Sequence, residues 1–207
     1  MAFNDFKSLE QVVQKYPVRI KRERFVPEVR LKLPAWFVEN LQFSQKRQGA
    51  QESEMYFRES FIFPFLHQAW KRYPKLKLWV NQALRYDETL SGEPDYFVSA
   101  STEDKVIDRL VYTPLLAVAE AQRENFEGGW AQCLVELIAC QRINADEQLT
   151  LYGIVSTGHV WEFGKLEKDI FTRELLSYST ADPQKVFGIL DFIFAECEKQ
   201  LDHQAVA

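Results

Sequence analysis

The chain has 207 residues, a net charge of −5 and 46% hydrophobic residues, among them 16 Phe and 5 Trp. This size fits one domain, or one domain with an arm, and supplies enough bulky apolar side chains for a sizeable core. The acidic balance argues against a protein that coats nucleic acid in general, because such proteins are usually basic. It does not exclude an enzyme that acts on nucleic acid, since a local basic patch and bound metal cations can hold phosphate.

The sequence carries no sign of a membrane segment or a secretory signal. It has no run of about 18 apolar residues, so no transmembrane helix and no membrane partner are expected. The first seven residues lack the charged-then-apolar layout of a signal peptide. The three cysteines, Cys133, Cys140 and Cys197, have no metal-ligand spacing, and the first two resemble small core residues. A cytoplasmic location is the resulting expectation.

The N-terminal third of the chain begins with mixed patterns. Residues 1–16 predict a short amphipathic helix that ends at Pro17, because apolar side chains recur there at helical spacing. Residues 18–33 alternate in part and predict strands. Residues 42–53 are polar and rich in glutamine, and they predict a loop.

A helical pattern follows over residues 53–73. At about 100° per residue, Glu59 falls on the apolar stripe of this helix, whereas Arg58 falls on the polar face. Glu59 is therefore either a functional carboxylate that faces the core or a side chain whose stem packs while its head reaches water. Pro64 must either kink the helix or lie in the first turn of a second one.

Strands and helices then alternate to the end of the chain. Strands are predicted over residues 75–86, 92–100 and 114–122, a helix over 129–142, and a β-hairpin from strands over 149–155 and 160–164. Thr157-Gly158 supplies the tight turn of the hairpin. A final packing helix is predicted from Pro183, with Asp182 as its N-cap.

The strand over 114–122 is the most informative segment of the sequence. Both of its faces are apolar until Glu120, which is the pattern of a central strand that is covered on both sides. A carboxylate at the end of such a strand is costly to bury unless a cation or hydrogen bonds meet it. Glu120 is therefore a candidate functional residue.

Two short motifs around this strand carry a resemblance to a known superfamily. Pro94-Asp95 follows a turn, and Glu120-Ala121-Gln122 ends the next central strand, ahead of the helix that begins Gly129-Trp130-Ala131-Gln132. This order of elements resembles the PD-(D/E)XK nuclease superfamily, in which an Asp precedes a Glu-X-Lys sequence. Gln122 departs from that pattern, because the commonest residue there is Lys. The resemblance covers about residues 53–165.

The resemblance implies an α/β fold with a restriction-endonuclease-like core, in which helices flank a central mixed β-sheet on both faces. It assigns residues 53–165 to the core, 1–50 to an N-terminal extension and 183–203 to a C-terminal packing helix, all within a single domain over residues 1–207. Nucleic acid, DNA more than RNA, would be the substrate. A homodimer is a further expectation, since many members of the superfamily cut two strands as dimers.

The resemblance also implies a site for Mg²⁺ or Mn²⁺. Asp95 and Glu120 would share the metal ion, the backbone carbonyl of Ala121 would be a third ligand, and Glu59 a direct or water-mediated fourth. Hard carboxylate oxygens favour these ions over Zn²⁺. Gln122 would stand where the Lys orients the attacking water, although an amide carries no charge and exchanges no proton at neutral pH.

Two more residues are candidates for contact with the substrate. Gln132 resembles the polar residue that many members of the superfamily place near the substrate phosphate, and it equally fits an ordinary polar residue at a helix edge. Arg123 is a second candidate, although on an ideal strand it faces away from Gln122. Basic patches are indicated at 19–24 and 71–77, and both also fit ordinary solvated faces.

Three interpretations of the sequence therefore stand side by side. The first is a metal-dependent nuclease that hydrolyses phosphodiester bonds with Glu59, Asp95, Glu120 and Gln122. The second is a catalytically inactive domain of the same fold that acts as an interaction or structural module. The third is an α/β protein in which Asp95 and Glu120 are ordinary polar residues, each satisfied by its neighbours.

Overall fold

The computed structural model describes residues 3–49, 52–101, 113–122 and 125–204. Its helices are α1 (Leu9–Lys15), α2 (Ala35–Arg47), α3 (Glu54–Phe57), α4 (Phe63–Trp70), α5 (Phe126–Asn144) and α6 (Pro183–Gln204), with a 3-10 turn at Phe3–Asp5 and a π-helical turn at Arg58–Ile62. Its strands are β1 (Arg19–Arg22), β2 (Leu76–Val80), β3 (Leu84–Arg85), β4 (Ser91–Gly92), β5 (Tyr96–Ala100), β6 (Leu115–Ala121), β7 (Leu151–Ser156), β8 (Val160–Glu167), β9 (Ile170–Arg173) and β10 (Tyr178–Ser179).

Eight of the ten described strands form a mixed sheet with the order β1-β9-β8-β7-β6-β5-β2, in which β10 pairs with β8, and β3 and β4 form a separate two-stranded sheet. The pairs β6–β7 and β1–β9 are parallel, and the other neighbours are antiparallel. Strand β6 lies between β5 and β7, and all seven of its residues are buried. The expectation that residues 114–122 form a central strand is confirmed.

Helices cover both faces of this sheet. On β8, successive side chains alternate between the faces. The indole of Trp130 on α5 donates to Glu162, whereas the ring of Phe65 on α4 lies 5.5 Å from that of the adjacent Trp161. The fold is therefore an α/β protein with a large mixed sheet flanked by helices, and within the described residues no helix is long and apolar enough to span a bilayer.

The prediction of a loop over residues 42–53 is wrong for residues 42–47, which belong to helix α2. The helix runs to Arg47, and of its residues only Phe37 and Leu41 are buried. This i, i+4 pair is a narrow apolar stripe that the surrounding glutamines obscure in the sequence. The predicted strands over residues 18–33 reduce to β1, whose four residues are exposed.

The predicted helix over residues 53–73 divides into α3, the π-helical turn and α4. The amide of Phe63 donates to the carbonyl of Arg58, which is an i→i+5 bond, and Pro64 lies in the first turn of α4. The second of the two roles open to Pro64 is therefore the one observed. A π-helical turn contains one extra residue, so side chains on its two sides do not follow a single 100° progression.

We predict that Trp161→Ala lowers the free energy of unfolding by about 3–5 kcal/mol, because this fully buried side chain joins α4 to the sheet. Trp36→Ala is the matched control, since Trp36 on α2 is 52% exposed and its loss is expected to change stability by about 0.5 kcal/mol or less. Chemical denaturation measures both. Equal losses for the two variants would contradict this packing.

Candidate carboxylate site

Asp95 and Glu120 meet where β5 begins and β6 ends. The antiparallel pairing of Tyr96 with Ala119 brings the residue before β5 next to the last residues of β6. The amide of Asp95 donates to Glu120 Oε1 over 3.1 Å, and the amide of Ala121 donates to Asp95 Oδ2 over 2.9 Å. The N–H and C=O of a strand residue point to the same neighbour, so the Ala121 carbonyl lies on the Asp95 side as well.

Glu120 faces a second buried carboxyl group on α5. Its side chain lies within hydrogen-bonding reach of Glu136, and both residues are at most 1% exposed. The Gln132 amide donates to Glu136 Oε1 over 3.3 Å, while Glu136 Oε2 is buried and accepts no hydrogen bond from a described residue. Two ionised carboxylates only accept hydrogen bonds. The contact between Glu120 and Glu136 therefore needs either a shared proton or a cation.

The surroundings raise the pKa of all three carboxyl groups. Burial raises the pKa of Glu120 well above its usual value, and the charges of Glu136 and Asp95 add to this effect. Burial also raises the pKa of Glu136 to about 8. The pKa of Asp95 rises for the same reason, although the Ala121 amide and the Arg58 guanidinium oppose the shift. Such a group of shifted carboxyls is typical of a functional site, although structural networks also produce it.

Arg58 is the cation that contacts this cluster. Its Nη1 lies 2.7 Å from Asp95 Oδ1, and its Nη2 donates to Asn81 Oδ1 over 2.6 Å. The guanidinium also lies over the ring of Tyr96, 5.4 Å from its centroid. Arg58 is 7% exposed and its Nε is buried without a partner among the described residues. A permanent cation thus already partners Asp95.

Asn81 fixes the far side of this ion pair. It adopts a left-handed conformation with φ of 47°, which asparagine tolerates better than most residues. Its amide donates to the carbonyl of Asp95 over 3.0 Å, while its side chain receives the Arg58 guanidinium. The turn after β2 therefore holds both members of the Arg58–Asp95 pair.

Gln122 lies directly after this junction, at the N-terminal end of α5. Its amide donates to the carbonyl of Ser156, and its side chain packs against Gly129. A Cβ on Gly129 would lie 2.4 Å from Gln122 Cγ and 2.8 Å from Val155 Cγ1. Glycine at this position thus permits the first turn of α5 to pack against Gln122.

The remaining candidates have different positions. Glu59 is exposed and lines a groove beside α2, and it makes no hydrogen bond or ion pair with Asp95 or Glu120 among the described residues. The expectation that Glu59 lies on the buried stripe and Arg58 on the polar face is wrong, because the π-helical turn begins at Arg58 and shifts the side chains that follow. Arg123 lies outside the described residues.

Nearby carboxylates pair with three of the four cations of the first basic patch and with two of the four cations of the second. At 19–24 the ion pairs are Arg19–Asp169, Lys21–Glu23 and Arg24–Glu28, and at 71–77 they are Arg72–Asp191 and Lys75–Asp202. Exposed pairs of this kind contribute little to stability. Their geometry agrees with ordinary solvated faces at both patches.

Sequence reasoning missed Arg58, Asn81 and Glu136. Glu136 carried a usable signal, since it lies one helical turn after Gln132 within a run that is otherwise apolar. Arg58 and Asn81 carried none, because a π-helical turn and a left-handed turn residue place them. Within the described residues no group of three or more His, Cys, Asp or Glu side chains is arranged to hold a metal ion.

No model of a known protein family matches the sequence, and no curated protein matches it significantly. The fold and the site therefore define the chain as an α/β protein with a mixed, helix-flanked sheet and a buried carboxylate cluster at the end of its central strand.

We predict that stability falls as the pH rises from about 5 to about 8 in metal-free buffer. Glu136, which faces Glu120, Asp95 and Gln132, has a pKa of about 8 in the folded protein and about 4.3 when unfolded. The folded state therefore binds more protons in this window, and stability present at low pH is lost as the pH rises. The expected decline in the free energy of unfolding is on the order of 1–3 kcal/mol.

Glu136→Gln should flatten this decline, since the amide cannot ionise. Denaturant unfolding at several pH values measures it, and Glu127→Gln removes an exposed carboxyl from the first turn of the same helix as a control. Parallel pH curves for the wild type and Glu136→Gln would show that the carboxyl pair does not titrate in this way.

Proposed function

We propose that the protein is a metal-dependent nuclease with a restriction-endonuclease-like core, acting on DNA through Asp95, Glu120 and the carbonyl of Ala121. The observation that carries this proposal is a reciprocal pair of hydrogen bonds between Asp95 and the end of β6. The Glu120 carboxylate accepts one from the amide of Asp95, and the Asp95 carboxylate accepts one from the amide of Ala121. That contact supports the arrangement that the resemblance implies, two carboxylates and one carbonyl at adjacent strand ends.

The donor atoms suit Mg²⁺ or Mn²⁺. Each carboxylate oxygen accepts two bonds, so Asp95 keeps lone pairs beside those that bind Arg58 and Ala121. Among the described residues no three carboxylates are grouped around one metal position, so Asp95, Glu120 and the Ala121 carbonyl would hold the ion, and water molecules would complete its coordination. When bound, the metal ion would lower the pKa of a water molecule and neutralise charge on the phosphate.

Arg58 supplies the positive charge that Gln122 lacks. In this proposal it orients Asp95 through Oδ1, while Asn81 and the Tyr96 ring hold the guanidinium in place. Gln122, packed beside Gly129, hydrogen-bonds a water molecule or a phosphate oxygen. Gln132 positions Glu136, and through it the carboxyl of Glu120.

The alternative is a catalytically inactive module of the same fold, and one observation favours it. The Arg58 guanidinium already compensates the charge of Asp95 in a pair whose side chains are 9% and 15% exposed. A cation held so closely competes with a metal ion for the same carboxylate. The two functions differ in whether a divalent ion binds Asp95, either beside Arg58 or in its place.

We predict that calorimetric titration detects Mn²⁺ and Mg²⁺ binding, alone or with non-cleavable DNA present to complete the site. Asp95→Asn and Glu120→Gln should each weaken binding at least tenfold, because each removes an anionic ligand. Glu127→Gln serves as the control for charge removed elsewhere. Ion binding that Asp95→Asn and Glu120→Gln leave unchanged, or no binding with or without DNA, would contradict the metal site.

We further predict that Arg58→Gln slows DNA cleavage at least tenfold, and that adding Gln122→Lys restores most of the rate by returning a cation to the site. The nicking of plasmid DNA in the presence of Mn²⁺ measures the cleavage rate of the wild type, Arg58→Gln, the double variant and Gln122→Lys alone. Cleavage by the Gln122→Lys variant alone, with none by the wild type, would identify the natural chain as the inactive module.

A further inference from the structure

A groove lies between α2 and the turn before α4, and none of its described lining residues belongs to the carboxylate site. Its volume is about 350 Å³, within the range of sites that bind small ligands or single side chains. Phe37 and Phe65 are buried along it, with ring centroids 4.9 Å apart in an edge-on arrangement. Trp36 and Phe43 line it as well, and they are 52% and 63% exposed.

The polar groups of this groove favour a positively charged occupant. Glu59 lines it with an exposed carboxylate that forms no ion pair within the described chain, and neither Lys, Arg nor His is among the described lining residues. Asn40 and the hydroxyls of Ser44 and Ser60 add hydrogen-bond acceptors. A phosphate group would instead meet the negative charge of Glu59.

The aromatic surface already contacts a cation at its rim. The guanidinium of Arg47 lies 5.8 Å from the centroid of the Phe43 ring, within the range of a cation–π interaction. The exposed ring of Trp36 offers a stronger surface of the same kind, because indole binds cations best among the aromatic side chains. The net charge of −5 adds a long-range attraction for a basic partner.

We propose that this groove docks a basic segment of a partner protein, with an Arg or Lys side chain between Trp36 and Phe43 and its charge paired with Glu59. The volume exceeds that of one such side chain, so a flanking residue of the segment fits beside it. The docking of a basic segment in this groove does not depend on whether the protein is a nuclease. The carboxylate site and the groove contain consecutive residues of the chain, because Arg58 contacts Asp95 and Glu59 lines the groove.

Fluorescence anisotropy tests the proposal with the full chain and a fluorescein-labelled peptide of four Arg-Gly repeats. Saturable binding is expected, about tenfold weaker for Trp36→Ala and about fivefold weaker for Glu59→Gln, with partial recovery in Trp36→Phe. Glu39→Gln, which removes an exposed carboxylate from α2 outside the groove, should bind as the wild type does.

Each other outcome overturns the proposal. Those outcomes are equal binding of a Gln-Gly repeat peptide, equal loss in Glu39→Gln and Glu59→Gln, or no saturable binding of the Arg-Gly peptide at millimolar protein. A fluorescein-labelled oligothymidylate that binds the groove more tightly, and gains affinity in Glu59→Gln, would assign the surface to nucleic acid instead.

Discussion

The burial of Glu120 at the end of the central strand is the constraint on which the rest of the site depends. A carboxyl group with almost no exposure must be protonated, hydrogen-bonded or paired with a cation. In this chain the amide of Asp95 supplies the hydrogen bond, and Glu136 supplies the partner for a shared proton. The Arg58 guanidinium then offsets the charge that remains on Asp95. In the proposed nuclease a metal ion would compensate this buried carboxyl group, whereas in the inactive module the shared proton would do so.

The balance of charge separates the nuclease from the inactive module. The cluster contains three carboxyl groups and one guanidinium, which pairs with Asp95, so it stays negative unless it retains protons or gains a cation. Burial and the charges of neighbouring carboxylates raise the pKa of Glu120 and Glu136, and a divalent ion would offset both effects. The shared proton relieves the repulsion between the carboxylates at lower pH. A proton and a metal ion would therefore compete for the same carboxylates.

The sequence predicted the centre of the fold better than its periphery. Strand β6 could be inferred, because seven buried residues give a clear two-sided apolar pattern, whereas its meeting with Asp95 was expected only from the family resemblance. The burial of Arg58 and the exposure of Glu59 could not be inferred. The i→i+5 turn changes the direction in which the following side chains point around the helix axis, and nothing in the sequence indicates it. Helix α2 was missed because two buried residues make too narrow a stripe. Glu136 could have been found as a carboxylate within an apolar helical run.

The most direct test of a shared carboxylate site is the broadening of backbone amide signals in NMR spectra on adding a small amount of Mn²⁺. This paramagnetic ion relaxes nearby protons most strongly, so the amides of Asp95 and Ala121 should broaden first. They should stay sharp in Asp95→Asn. Broadening confined to exposed acidic residues such as Glu39 and Glu127, with the Ala121 signal unchanged in the wild type, would contradict a metal site at the end of β6.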